Sequence, residues 1–342
     1  MGDLLRLVAD TPGCSIAGIY DADIHKMSAA IATHSLPMDC VYTDLSTALS
    51  SSGADAAIIC STTAEHANVT VAAFEAGLHV ICEKPFAANI ADADRMIDAS
   101  VKAGKTLAIN WPLAWYPPHI TTKRLIDEGV IGDVLEVHFY DGNRGPLRHL
   151  ADKVEVSEAD ATEMKRASWW YDPARGGGSL LDYLGYGTTL GTWFMNGREP
   201  LSVTAITDNV DTTFVDEHAI VVCRYASGLS KFETRWGTFT DPWTIQPQPK
   251  CGFVVVGLSG TISSYDYEDH VLVQTMEHPV PTPIAVDKLA APMRNIIEHF
   301  DATAASAESL HAPLTPRICR IGQKIVDLAI ASAAAGRTLE YV

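Results

Sequence analysis

The chain has 342 residues, of which 47% are hydrophobic and 20% are charged, and its formal net charge is −17. This composition excludes a disordered protein and suits a globular one, and the length suits two domains rather than one core. The acidic balance argues against nucleic acid or an anionic membrane surface as partner, because both need a basic patch. The sequence predicts neither a transmembrane helix nor a signal peptide.

The seven cysteines are scattered along the chain and include no Cys-x-x-Cys pair. Most of them lie in apolar runs. This pattern predicts free, buried thiols and no metal site, as expected for a protein of the reducing cytoplasm.

The first 110 residues alternate short apolar strands with helical stretches, which predicts a parallel sheet covered by helices. Ligands in such sheets bind beyond the carboxyl ends of the strands, so the residues that follow each strand are candidates for a site. The predicted strands are 15–20, 56–60, 79–82 and 106–109, and the predicted helices are 64–76 and 90–103.

The start of the chain raises the question of where a glycine-rich loop would lie, because Asp21 directly follows the predicted strand 15–20. In a dinucleotide-binding fold such an acid binds the adenosine ribose and lies about 20 residues past a glycine-rich loop. Counting back places that loop at or before residue 1. We therefore expect Met1 to be an internal methionine with about 10–15 residues upstream. The alternative is a damaged or repurposed protein that begins here.

The pattern changes after Pro117-Pro118, where longer alternating strands predict an open, mostly antiparallel sheet. The polar and acidic residues 150–168 predict an exposed insertion. The predicted fold class is thus α/β, with a Rossmann-like domain over 1–112 and an α/β domain over 113–342. The strands expected in the second domain are 134–140, 201–207, 219–225, 230–236 and 252–257, and the helices are 121–128 and 316–335, the latter packing back on the body.

The segment "AGLHVICEKPFA" contains a buried strand that ends abruptly in Glu83-Lys84-Pro85. One interpretation is an ordinary charged pair before a turn. The place at the carboxyl end of a sheet strand favours a functional interpretation instead. A lysine there can lower the pKa of a neighbouring hydroxyl group.

The segment "ARGGGSLLDYLGY" carries three glycines, 176–178, which predict a close approach of the backbone to a ligand. The helix that follows places Asp182 and Tyr186 four residues apart, on one face. The alternative is a glycine turn before a helix, with Asp182 as a first-turn acid and Tyr186 in the core. Together with Lys84, the two side chains form a set suited to proton transfer with a sugar hydroxyl.

Four stretches give the chain a resemblance to the glucose–fructose oxidoreductase and inositol dehydrogenase family, Gfo/Idh/MocA. They are "SIAGIYDAD", "STTAEHANVTVAAFEAGLHVICEKP", "WWYDPARGGGSLLDYLGY" and "RIGQKIVDLAIASAAAGRTLEY". The resemblance implies an N-terminal Rossmann domain that binds a nicotinamide cofactor. It also implies a C-terminal α/β domain whose open sheet makes a homodimer or homotetramer.

The resemblance also implies roles for individual residues. Tyr186 stands where the family usually has histidine, although glucose–fructose oxidoreductase is similar to this chain in having tyrosine there. Asp21 and Asp23 favour NAD over NADP, because a 2′-phosphate would meet negative charge. The implied catalytic residues are Lys84, Asp182 and Tyr186. The implied cofactor-binding residues are Asp21, Ser61, Thr62, His66, Glu83, Lys84 and Asn110. The implied substrate-binding residues are Lys84, Trp111, Arg144, Trp170, Asp182 and Tyr186.

Two of these residues have plainer alternatives, His66 as a helix-start residue and Trp111 as core. The expected function is an NAD(P)-dependent oxidoreductase that takes hydride from a secondary hydroxyl of a sugar, sugar derivative or cyclitol. The alternatives are a redox-assisted glycoside hydrolase or lyase of the same fold and a non-catalytic NAD-binding regulator.

Overall fold

A computed structural model describes residues 2–147, 157–208, 214–304 and 310–342. The helices are α1 Gly2–Asp10, α2 Ile24–His34, α3 Leu45–Ser51, α4 His66–Glu75, α5 Ile90–Ala103, α6 Pro117–Asp127, α7 Glu158–Ala167, α8 Ser179–Phe194, α9 Ile296–Ala304 and α10 Pro316–Ala335. The strands are β1 Ala56–Ile59, β2 His79–Glu83, β3 Leu107–Asn110, β4 Val134–Asn143, β5 Ser202–Thr207, β6 His218–Arg224, β7 Leu229–Trp236, β8 Gly252–Gly257, β9 Gly260–Tyr265, β10 His270–Thr275, β11 Thr282–Ala285 and β12 Leu339–Glu340.

The N-terminal sheet contains β1, β2 and β3 in that order, all parallel. Every residue of β3 is buried, as expected for a parallel strand covered on both faces. Its register pairs Glu83 with Asn110, so the carboxyl ends of β2 and β3 meet at one edge. The predicted parallel sheet with covering helices is therefore confirmed.

The predicted strand 15–20 is wrong in this structure. Ile19 alone forms a bridge, parallel to Val41, through hydrogen bonds with Cys40 and Tyr42. A strand needs a continuous neighbour to fill its hydrogen-bonding ladder, and the described residues place none along this segment. β1 likewise pairs on one side, with β2, and three of its four residues are half-buried.

The second sheet has nine strands in the order β11-β10-β9-β8-β4-β7-β6-β5-β12. β4 and β7 are parallel and the other pairs are antiparallel, which confirms the open, mostly antiparallel sheet. α8 packs closely on one face, where Gly187 lies directly against the ring of Phe139. The opposite face is open, and β6 alternates buried with exposed residues along its length.

Several elements were not predicted, notably β9 to β12 and α7. β9 has the sequence Gly-Thr-Ile-Ser-Ser-Tyr, in which the buried positions are not marked by an alternation of apolar residues. It forms a strand because it pairs with β8 on one side and β10 on the other. Of the predicted insertion, 150–156 lies outside the described residues and α7 occupies much of the rest. α10 ends at Gly336, which adopts the left-handed conformation typical of a helix end.

The seven cysteines are all unpaired, and five of them are buried, as predicted. Across the described ranges, no helix has both the length and the apolar character needed to cross a membrane.

His311 makes the stability of this fold depend on pH. Its largely buried ring lies 5.0 Å from that of Trp193 and 5.6 Å from that of Trp115. Burial, followed by the nearby His299, lowers the pKa of His311 from 6.5 to about 4. The unfolded chain therefore binds a proton that the folded chain does not. Stability is complete above about pH 6.5 and falls as the pH drops toward 4.

We expect the free energy of unfolding to fall by about 2 kcal/mol from this group between pH 7 and pH 5. Urea unfolding of the full chain at both pH values measures the loss. The matched variant His311→Gln cannot gain that proton, so it should lose correspondingly less. An equal pH dependence in the two chains would contradict this assignment.

Candidate active site

The Glu-Lys-Pro turn begins where β2 ends, at the carboxyl edge of the parallel sheet. Glu83 Oε1 accepts a hydrogen bond from Asn110 Nδ2 at 2.6 Å, and Asn110 is almost fully buried. The second oxygen, Oε2, accepts from the backbone amide of Lys84 at 3.3 Å. This acid therefore anchors the turn at the ends of β2 and β3.

Lys84 meets an acid from the other half of the chain. Its Nζ donates to Asp182 Oδ1 at 2.7 Å, and the two side chains are 16% and 5% exposed. Asp182 lies in the first turn of α8, where a negative charge is favourable. The predicted pair is thus brought together, although 98 residues separate the partners in sequence.

Two phenol rings face the lysine ammonium. Lys84 Nζ lies 5.2 Å from the ring centroid of Tyr186 and 5.4 Å from that of Tyr183. Such cation–π contacts attract the ammonium toward the ring faces. Asn143 Nδ2 donates to the Tyr183 hydroxyl, so β4 also reaches the site. The sequence did not single out Tyr183 or Asn143; the position of Tyr183 beside Asp182 was the available signal.

The electrostatics of Tyr186 differ from the prediction that a lysine would lower the pKa of its hydroxyl neighbour. Burial raises the pKa of Tyr186 well above its usual range, and the nearby Tyr183 and Asp182 add to the effect. The charge of Lys84 is already paired with Asp182. Tyr186 therefore holds its proton at neutral pH.

The three glycines before α8 contact protein rather than open space, which corrects the prediction of a ligand approach. A Cβ at Gly176 would lie 2.7 Å from Thr63, in the turn after β1. A Cβ at Gly177 would overlap the backbone of Trp170, and one at Gly178 would lie 2.9 Å from Asp216 Oδ1. The glycines therefore let α8 begin close to the parallel sheet.

Asp216 caps the start of α8 from a distant part of the chain. Its Oδ2 accepts from Ser179 Oγ at 2.6 Å and from the Leu180 amide at 2.7 Å. Burial raises the pKa of Asp216, while these hydrogen bonds oppose the rise. Sequence reasoning missed this residue, because nothing near position 216 shows which helix it reaches.

The residues implied for the cofactor lie in different environments. Ser61 is exposed and Thr62 is half-buried just after β1, and neither hydroxyl bonds to the described residues. Asp21 is half-buried, and its Oδ1 accepts from the Asp23 amide at 2.8 Å. Asp23 in turn caps α2. These groups remain accessible from outside the sheet.

His66 does not have such access, so its predicted contact with a cofactor is not supported. It is 1% exposed, and its ring nitrogens lie 2.9 Å from the Pro85 carbonyl oxygen and 3.2 Å from that of Ser61. Burial lowers its pKa, so the ring is neutral. His66 begins α4, which matches the plainer alternative, and its neutral ring packs between the turn after β1 and the Glu-Lys-Pro turn with one N–H to donate.

Among the implied substrate residues, Trp111 is a correction. It is 1% exposed and packs edge-on against Tyr186, with ring centroids 5.2 Å apart, so it supports the tyrosine from the core. Trp170 is half-buried and stacks on Trp169 at 3.9 Å. Arg144 is half-buried at the end of β4, and its guanidinium has no ion pair within the described residues.

Two models of one family match the chain. One, described as "Oxidoreductase family, NAD-binding Rossmann fold", matches residues 3–111. The other, the GFO/IDH/MocA C-terminal domain, matches residues 119–263. Together they span the parallel sheet and the second sheet from β4 to β8, and they include Lys84, Asp182 and Tyr186.

Curated relatives match mainly over part of their length. An inositol 2-dehydrogenase of Salmonella typhimurium is 32% identical over 138 residues, 40% of this chain and 41% of the relative. A D-apiose dehydrogenase of Paraburkholderia graminis is 32% identical over 123 residues, 36% of this chain and 32% of the relative. The matched part of this chain thus spans less than half the length of either relative.

Solved structures share the fold over nearly the whole chain. An oxidoreductase from Agrobacterium radiobacter in complex with NAD+, L-tartaric acid and magnesium has a TM-score of 0.77 at 19% identity, covering 99% of this chain and 94% of that one. The aldose-aldose oxidoreductase from Caulobacter crescentus complexed with glycerol has a TM-score of 0.78 at 19% identity, with coverages of 98% and 95%. With both halves matched, the chain belongs to the Gfo/Idh/MocA family of oxidoreductases, and its N-terminal part to that family's NAD-binding Rossmann fold.

Proposed function

We propose that this protein is an NAD-dependent oxidoreductase that takes hydride from a secondary hydroxyl of a sugar, sugar derivative or cyclitol. The observation that carries the proposal is the Lys84–Asp182 ion pair at the carboxyl edge of the parallel sheet, with Tyr186 one helical turn further on. The names of the curated relatives, inositol and apiose dehydrogenases, support a sugar or cyclitol substrate. The secondary-alcohol chemistry needs this combination of a cation and a proton-carrying group.

The residues at the sheet edge fit a nicotinamide dinucleotide. Free hydroxyl groups of Ser61 and Thr62 follow β1, and Asp21 and Asp23 present carboxylates where ribose hydroxyls are commonly bound. Negative charge there disfavours a 2′-phosphate, which supports NAD over NADP. When bound, the dinucleotide supplies a hydride acceptor at the nicotinamide ring. Lys84, Glu83 and Asn110 lie at the strand ends beside which that ring would bind.

The chain's own residues supply proton handling and charge stabilisation. The Lys84 ammonium stabilises negative charge that develops on the substrate oxygen as its proton leaves. Asp182 holds Lys84 in place. Tyr186, protonated at rest, donates its proton to the substrate oxygen when a carbonyl is reduced. In the oxidation direction it must first release that proton to water before it can receive the one from the hydroxyl. Trp111 fixes the ring of Tyr186 by edge-on packing.

Thermal unfolding with and without NAD+ tests the cofactor assignment first. At 100 times the dissociation constant, NAD+ should add about 2.7 kcal/mol of stability, a shift of a few degrees. NADP+ should shift the transition less at the same concentration. A transition that ignores both dinucleotides would contradict the proposal.

Incubation with NAD+ and a panel of sugars, cyclitols and glycosides, including myo-inositol and D-apiose, then tests the reaction. A dehydrogenase accumulates NADH in proportion to the ketone product. A redox-assisted hydrolase or lyase converts glycosides without accumulating NADH. A chain that binds NAD+ and converts neither class would be a regulator rather than an enzyme.

We also propose that residues 1–112 and 113–342 act as two domains.

We further propose that the open face of the nine-stranded sheet forms the contact between copies of the chain. That face exposes apolar side chains of β5 and β6, namely Ile206, Ile220 and Val222. Burying such a surface favours association. Light scattering should therefore give the mass of a dimer or tetramer, and Ile220→Lys with Val222→Lys should give a monomer. A monomeric wild-type chain at micromolar concentration would contradict this proposal.

A further inference from the structure

The C-terminal helix α10 contacts both halves of the candidate site. One of its faces packs on α8, the helix that carries Asp182 and Tyr186. Gly322 lies directly against Thr189, so any Cβ at this position would overlap it. Thr188 Oγ1 donates to the Gly322 carbonyl oxygen at 3.1 Å, and Gly322 is buried. α10 is therefore fixed in position relative to α8.

A second face of α10 bonds the segment that follows Lys84. Gln323 Oε1 accepts from the Ala87 amide at 3.2 Å, and Asp327 Oδ2 accepts from the Ile90 amide at 2.6 Å. Gln323 Nε2 donates to Asp327 Oδ1 at 2.8 Å, which fixes the orientation of both side chains. Gln323 and Asp327 lie four residues apart and hence on one face of the helix.

These two acceptors satisfy amides that would otherwise lack a partner. Ile90 begins α5, and the first amides of a helix have no acceptor within it. Ala87 is completely buried, so water cannot replace Gln323 there. Asp327 also places a negative charge at the N-terminus of α5, which is favourable. The segment 85–90 is therefore bound tightly to α10.

A continuous set of buried and half-buried contacts thus runs from α8, which carries Asp182, through α10 to the segment that follows Lys84. We infer that Gln323 and Asp327 are positioning residues that set the separation of the Lys84 ammonium from the Asp182 carboxylate. His66 at the start of α4 and Asn110 at the end of β3 contact the same turn from the N-terminal half of the chain. The contacts from α10 add a second connection to the helix that carries the acid, beside the packing of Trp111 on Tyr186.

The chemical reactivity of the Lys84 amine reports how well this ammonium is held against Asp182. The measurement needs no cofactor, substrate or turnover. Reductive methylation with formaldehyde and cyanoborohydride, followed by mass spectrometry of peptides, gives the rate for each lysine of the full chain. Lys84 is 16% exposed and paired with Asp182, so it should react slowly relative to exposed Lys102. Gln323→Met and Asp327→Leu should raise the Lys84 rate several-fold relative to Lys102. Asp327→Asn keeps an acceptor for the Ile90 amide but turns its NH2 toward Gln323 Nε2, so its rate should lie between those of the wild type and Asp327→Leu.

Ser332→Ala is the matched control. Ser332 is a buried residue of α10 and lies at the end of this helix opposite to the site. Its Oγ accepts a hydrogen bond from the Ala205 amide and donates one to the Arg337 carbonyl oxygen. This variant loses buried side chain–backbone bonds and stability but should leave the Lys84 rate unchanged. Circular dichroism confirms that each variant is folded.

An unchanged Lys84 rate in folded Asp327→Leu would overturn the inference, and so would an equal rise in Ser332→Ala. If Asp327→Leu does not fold, the milder Gln323→Met decides by the same comparison. The result does not depend on the proposed oxidoreductase activity, because the reaction needs neither NAD+ nor a sugar or cyclitol.

Discussion

Lys84→Met is expected to lower kcat for oxidation of the sugar or cyclitol substrate by about 10²–10⁴-fold. The ammonium that faces Tyr183 and Tyr186 would be replaced by an uncharged side chain of similar length. Negative charge that develops on the substrate oxygen would then have no cation beside it. The measurement is steady-state NADH production with the substrate that the panel identifies, at saturating NAD+.

The same change also removes the partner of a buried acid, and this effect must be separated from catalysis. Asp182 is 5% exposed, and breaking a buried ion pair costs about 3–5 kcal/mol. Because Lys84 is partly exposed, the stability lost on breaking this pair should lie at the low end of that range or below it. Lys84→Met combined with Asp182→Asn should recover part of the stability, measured by urea unfolding, without recovering turnover. A single Lys84→Met variant with full turnover would refute the catalytic assignment.

Local patterns in the sequence were sufficient for most of the parallel sheet. β2 and β3 are short, continuous apolar runs, and α5 spans 90–103 as predicted, because its cap Asn89 and its terminal Gly104 are both visible in the sequence. The strand predicted at 15–20 has the same apolar character. It fails because a strand is defined by its neighbours, and that information is not contained in its own residues.

The candidate site shows the same difference between what local sequence patterns predict and what depends on distant parts of the chain. That Lys84, Asp182 and Tyr186 lie together could be predicted, because each belongs to a short motif with recognisable spacing, while their catalytic roles are a proposal. The residues that hold these side chains could not be predicted, since Asp216, Gln323 and Asp327 act across 36 or more residues of sequence. Trp111 and the glycines 176–178 were assigned to ligands because aromatic and glycine residues are common in binding sites. Tight packing gives the same residue types, and only the contacts distinguish the two.

Tyr186→Phe is expected to lower kcat by about 10²–10⁴-fold while leaving the fold intact. Phenylalanine keeps the ring that packs on Trp111 and faces Lys84, and it removes the proton that the reaction needs. Unfolding by urea should therefore change little, and the shift produced by NAD+ should remain. The loss should be in kcat in both directions of the reaction.

The pH profile of carbonyl reduction distinguishes Tyr186 from its neighbour. Because burial raises the pKa of Tyr186, the wild-type chain should keep its proton donor through the range of about pH 7–10, where an exposed tyrosine begins to ionise. Tyr183→Phe is the matched control, since its ring also faces Lys84 but its hydroxyl is bonded to Asn143. A larger loss in Tyr183→Phe than in Tyr186→Phe would transfer the proton-donor role to Tyr183. A rate that falls with an ordinary tyrosine pKa would mean that substrate binding exposes the phenol to water.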